Sequence, residues 1–177
     1  MPLPTYRGVG LPDLLYTIVV FWGLSQISVE SALVITATGF ALLVVVSDWR
    51  RVRRLRSRHV NTLTADIVLV GFTTLILTLW VAALVTGSLA SFFALFAFVF
   101  FLQAVRDILL IELSLVELYL QGQVTLVVLC AVFWAVADSF GEFGVVLVWA
   151  AILVFVAQRL YYLVGQVLQQ FVANDRL

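Results

Sequence analysis

Six stretches of the chain are almost unbroken in apolar residues, and short polar stretches separate them. They cover about residues 12–28, 32–48, 64–86, 89–106, 123–138 and 143–164. None alternates apolar and polar positions with the period of two that a barrel strand shows. An open strand would leave its backbone polar groups unpaired in lipid, so each stretch is predicted as a helix. At about 20 residues per crossing, the pattern predicts an all-α, polytopic membrane bundle of six transmembrane helices arranged as three hairpins. Pro12 and Asp13 suit the first turn of the first helix. Asn61, Thr62 and Thr64 are candidate caps for the third.

Two stretches exceed a simple crossing. From Leu89 to Gln121 the chain stays helix-compatible for 33 residues, about 50 Å at 1.5 Å per residue, against a hydrocarbon layer of about 30 Å. The excess, 106–121 (RDILLIELSLVELYLQ), carries Asp107, Glu112 and Glu117 among leucines. It is predicted to project from the bilayer or to lie in its interface, as an ordinary solvated face. The sixth stretch likewise stays helix-compatible to about Phe171. Helices four and six are therefore expected to extend on the same, cytoplasmic side.

Composition agrees with this reading. Of 177 residues, 64% are hydrophobic and 11% charged, with a mean hydropathy of +1.16. A soluble domain carries about a quarter charged residues. The chain is expected to form a single integral membrane domain.

Charge then sets an orientation. All ten basic residues are arginine. Six of them, Arg50, Arg51, Arg53, Arg54, Arg56 and Arg58, fall in the expected loop 49–62. With six crossings, Arg7, Arg106, Arg159 and Arg176 lie on that same face. The opposite turns hold no basic residue but carry Glu30, Asp138 and Glu142. The excess of arginine marks the cytoplasmic side, so both termini are expected in the cytoplasm and the protein in the plasma membrane. The cluster of six is also expected to bind anionic lipid headgroups. A voltage sensor would need an otherwise apolar helix within the membrane field, whereas only Val52 and Leu55 separate these charges. No further basic or aromatic surface supports nucleic-acid binding.

An internal repeat is hinted at. Trp22, Trp80 and Trp134 recur in odd-numbered helices, and Arg51, Arg106 and Arg159 follow even-numbered ones. Membrane hairpins call for such residues in any case.

Chemistry-bearing motifs are scarce. There is no lysine, so no Schiff base can form. Cys130 is the only cysteine and His59 the only histidine, which excludes an internal disulfide and a His-rich metal site. No catalytic signature, cofactor motif or metal motif occurs, and the protein is not expected to be an enzyme. The acidic outer turns, Glu30, Asp138 and Glu142, resemble the carboxylate rings that gather cations at pore mouths. Thr36 in the second helix, and Thr73, Thr74 and Thr78 in the third, are the candidate pore-lining hydroxyls. Asp107 is expected to neutralise its neighbour Arg106, and Asp48, with Arg51, and Asp66 read as interface charges.

These features favour a homo-oligomeric pathway for small ions, chiefly cations, with its pore on a symmetry axis. The alternative is a structural or assembly subunit that binds an unidentified membrane protein through the phenylalanines of helix four and the projecting tails. A small secondary transporter is the third reading, weakened by the lack of proline or a clear midplane carboxylate within the spans.

Overall fold

The computed structural model describes residues 10–27, 31–58, 62–110 and 116–174. Within these, no account is given of the side chains of 58, 116–121, 142, 162–163 and 165–174. The described residues form six helices: α1 (Leu11–Ser25), α2 (Ala32–Arg58), α3 (Leu63–Val85), α4 (Leu89–Leu110), α5 (Val116–Phe140) and α6 (Gly144–Asn174). A single 3₁₀ turn, Gly141–Phe143, joins the last two. Five of the helices, α2 to α6, are long and apolar enough to cross a bilayer. With 15 residues, α1 falls short of that length.

The helix ends follow local chemistry. Thr62 caps α3, its hydroxyl accepting from the Ala65 N–H at 3.2 Å. The Gly10 N–H donates to Asp13 Oδ2 at 3.2 Å, which satisfies one of the unpaired donors at the start of α1. Gly87, just past the end of α3, has φ +65°, and Gly141, just past α5, has φ +47°. Both turns reverse the chain through the left-handed region, where only glycine sits without a Cβ clash.

Two boundaries differ from expectation. Residues 49–58 are the last turns of α2, not a loop. Nothing between Asp48 and Arg58 breaks a helix, arginine is a good helix former, and cations favour a helix C-terminus. α4 is described to Leu110 and α5 from Val116, so residues 116–121, expected to follow the fourth helix as a projecting or interfacial segment, are the first turns of α5; residues 111–115 lie outside the described residues. Glu112 and Ser114 lie outside the described residues. Asp138, expected in a turn, is in the last turn of α5.

Around the bundle the helices neighbour one another in the order α1, α2, α6, α5, α4, α3, and α3 returns to α1. The core lies where α2, α4 and α6 meet. Phe92, Phe93, Phe96 and Phe100 recur along one face of α4 and are buried, whereas Phe98 and Phe101 point outward. Phe40 of α2 packs on Phe96 with ring centroids 5.2 Å apart and edge-on to Phe155 of α6 at 6.1 Å. Phe93 meets Phe133 of α5 at 5.2 Å. Offset and edge contacts of this kind add to the burial of each ring. Most phenylalanines of α4 thus hold their own bundle together and are not available to a partner.

The outer surface is apolar on every helix, with Ile18, Phe21, Leu75, Phe98, Val128, Trp149 and Leu153 among the exposed side chains. A water-soluble monomer does not present apolar surface all round. A bilayer accepts it.

The tryptophans do not repeat. Trp80 is buried, meets Trp22 edge-on at 6.4 Å, and donates from Nε1 to the Ala41 carbonyl at 2.6 Å. Trp134 is exposed. Glycine allows Trp80 this position. A Cβ on Gly23 would come within 2.6 Å of Trp80 Cη2, whereas one on Gly39 would meet nothing within 4 Å. Gly23→Val is therefore expected to cost about 1–3 kcal/mol through overpacking. Gly39→Ala should leave stability unchanged or raise it by up to about 1 kcal/mol. Unfolding of the two variants in detergent micelles checks both.

Candidate functional site

The end of the bundle where α1 begins and α2 and α4 finish holds a cluster of charges withdrawn from solvent. Its centre is Arg106, with no solvent access. One turn of α4 earlier, Gln103 is also buried. The Arg106 guanidinium forks onto Asp48 of α2: Nη2 donates to Oδ1 at 2.7 Å and Nη1 to Oδ2 at 3.1 Å. Its Nε and Nη2 both reach Asp107 Oδ1 at 3.4 Å. Asp107 Oδ2 pairs in turn with Arg51 Nη2 at 2.9 Å. From α1, the Tyr16 hydroxyl donates to Asp48 Oδ2. Two arginines, two aspartates and a phenol thus close into one network across α1, α2 and α4. Arg159 of α6 lies over the Phe155 ring, 4.8 Å from its centroid, and is close enough to Arg51 for their charges to interact.

A second layer covers the first. The Tyr16 ring lies nearly parallel to Trp49, with centroids 6.2 Å apart. Trp49 Nε1 and Arg53 Nε both donate to Asp13 Oδ1 at 2.7 Å. Arg53 also stands over the Trp49 ring, 5.2 Å from its centroid. Farther out, Arg56 Nε lies 3.6 Å from Asp66 Oδ1 at the start of α3. Each described aspartate at this end therefore has an arginine: Asp48 with Arg106, Asp107 with Arg51, Asp13 with Arg53, and Asp66 with Arg56.

The expectation of a plain interface charge fails for Asp48; Asp107 does reach Arg106, as expected, but is withdrawn from solvent too. Both are buried, at 2% and 3% exposure. An unpaired charge there would be prohibitive, so each carboxylate is matched in charge, although Asp107 Oδ2 has the Arg51 ion pair without a formed hydrogen bond. The signal was present in the sequence as five aspartates on the face that carries all the arginines. The contact of Asp107 with Arg106 could be read, but Asp48 meets Arg106 rather than the expected Arg51. Asp48 and Arg106 are 58 residues apart.

The candidate pore residues scatter. Thr73 is fully buried inside the bundle and leaves the pore-lining set. Thr74 and Thr78 are exposed on α3, their hydroxyls donating to the carbonyls of Val70 and Thr74, each at 2.9 Å. Thr36, half-buried on α2, donates to Ala32 O at 2.6 Å. Asp138 is exposed at the end remote from the ion cluster. Glu30 lies outside the described residues, and so does the Glu142 side chain. No group of three or more His, Cys, Asp or Glu that could hold a metal ion occurs among the described residues. Cys130 is buried.

Fold and site together define a class: an all-helical membrane bundle with a buried ion-pair cluster at one end. No protein-family model, no curated protein and no solved structure matches the chain.

The cluster predicts a specific pattern of stability. Arg106→Met leaves Asp48 buried without its counter-ion and is expected to cost about 3–5 kcal/mol. The double change Arg106→Met with Asp48→Asn should recover part of that loss, because the stranded charge is gone. Unfolding of both variants beside the single Asp48→Asn change measures the coupling. A double variant that merely adds the two single losses would contradict it.

Proposed function

We propose that the chain is a non-catalytic, homo-oligomeric pathway for small ions, chiefly cations, whose conduit lies on the symmetry axis and is lined by α3. The observation that carries this reading is the outward face of α3. Gly71, Thr74 and Thr78 follow one another there at helical spacing and are exposed, on a surface that is apolar elsewhere. The interior of one copy is filled by phenylalanines and closed at one end by the ion cluster. A conduit therefore fits better between copies than within one. Each hydroxyl is bonded back to its own helix, yet its oxygen can still accept from water or face a cation. At the end remote from the arginines, copies of Asp138 around an axis would form a ring that concentrates cations.

In this reading α1 is a short sixth crossing, and the helices pair as three hairpins with both termini in the cytoplasm of a plasma membrane. The arginine bias supports that orientation. The extra length of α6 would then extend on the same side: its 31 residues make about 46 Å, against about 30 Å of hydrocarbon.

A second reading draws on the same face. Threonines satisfied within their own helix also suit a dry contact with another protein's helix, as in an assembly subunit.

The two readings separate by experiment. In the pathway reading, native mass spectrometry in lipid nanodiscs returns one closed symmetric oligomer. In a Cys130→Ala background, Thr74→Cys and Thr78→Cys react with a membrane-impermeant thiol reagent, Leu153→Cys does not, and modification lowers cation flux into proteoliposomes several-fold. A monomer, or a fixed complex with a different chain, rules out the axial conduit. Asp138→Asn should lower cation flux at low ionic strength and lose that effect near 1 M salt, where the Debye length is about 3 Å.

A further inference from the structure

The arginine-rich end of α2 divides into two sets. Arg51, Arg53 and Arg56 are held by Asp107, Asp13 and Asp66, and Asp48 is taken by Arg106. The four described aspartates of this end are thereby matched one to one. Arg50 and Arg54 are left over. Both are exposed, and no described carboxylate pairs with either.

They stand four residues apart on a continuous helix, so their side chains leave the same face one turn apart. That face is the continuation of an apolar one. Ile35 and Leu43 are exposed along the same side of α2, and Gly39 between them is open. The half-buried Trp49, a residue suited to the headgroup level, sits beside Arg50. The acyl chain of a lipid has an apolar, unobstructed strip to lie on. The phosphate above it meets two guanidinium groups, each able to fork onto its oxygens.

We infer that Arg50 and Arg54 form a binding site for the phosphodiester headgroup of an anionic phospholipid, and that the other arginines of α2 described here serve the fold instead. Among the five arginines of the cluster whose side chains are described, this narrows the role to two. It does not depend on whether the protein conducts ions.

The test uses the full-length protein in nanodiscs of mixed phosphatidylglycerol and phosphatidylcholine, with bound lipid counted by native mass spectrometry. The wild type is expected to retain phosphatidylglycerol in excess of its share of the bilayer. At roughly five-fold per arginine, Arg50→Gln with Arg54→Gln should reduce that preference about twenty- to thirty-fold. Arg50→Lys with Arg54→Lys should keep a part of it, since charge remains while the fork is lost. The glutamine variant should unfold at the wild-type temperature, because neither arginine holds a described partner. Inorganic phosphate at 10 mM should not displace the lipid. Unchanged phosphatidylglycerol retention in the double glutamine variant overturns the proposal. Displacement by inorganic phosphate overturns it too, since the site would then take free phosphate without needing the acyl chain.

Discussion

Everything at one end of this bundle depends on a guanidinium that water cannot reach. Arg106 stays charged at any ordinary pH, so its site must supply the hydration it has lost. Asp48 provides the main part through a two-pronged contact, and Asp107 the rest. Once Asp48 is committed there, its remaining capacity is filled by Tyr16, and the second oxygen of Asp107 faces Arg51 in an ion pair. Three helices are therefore fixed in register by one cation. A slip of α2 by one residue would swing Asp48 about 100° around its helix axis, away from the guanidinium. Apolar packing alone tolerates such a slip much better, since one leucine or phenylalanine substitutes readily for another.

The net stability gained from the cluster is small, because desolvation offsets most of the attraction. Its consequence is specificity. In a bilayer, helix association gains little from apolar burial, and a helix with an apolar surface all round has many comparable partners. An ion pair that must be closed removes most of them. The aromatic core then packs around an arrangement already chosen: Phe40 between α4 and α6, and Trp80 against Gly23 and the Ala41 carbonyl.

The same matching changes the meaning of the basic cluster. Read along the chain, six arginines in eleven residues form one patch that could serve topology, lipid or voltage. In the folded protein Arg51 has 9% exposure and belongs to the interior, while Arg53 and Arg56 tie α2 to α1 and α3. Among the arginines of the cluster whose side chains are described, only Arg50 and Arg54 face outward without a described counter-ion. Helical spacing puts Arg50 and Arg54 one turn apart on one face, but it is the aspartates of α1, α3 and α4 that set Arg51, Arg53 and Arg56 apart from them, and a reading of 49–62 as a loop shows neither.

Sequence by itself determined the helical class, the apolar character and nearly all the helix starts, since hydrocarbon leaves the backbone no choice but to pair within each segment. Gly87, Gly141 and Thr62 marked helix ends because their chemistry acts over one to four residues. That residues 116–121 begin α5 escaped it, because nothing in 106–121 is forbidden in a helix. Tertiary structure alone decided which polar residues are buried. Thr73 and Thr74 are neighbours in the chain, yet one is sealed in the core and the other faces outward. Asp48 and Arg106 each look like a charge at the end of an apolar run. They become one site because two distant helix ends are brought within hydrogen-bond reach, and local composition carries no record of that distance.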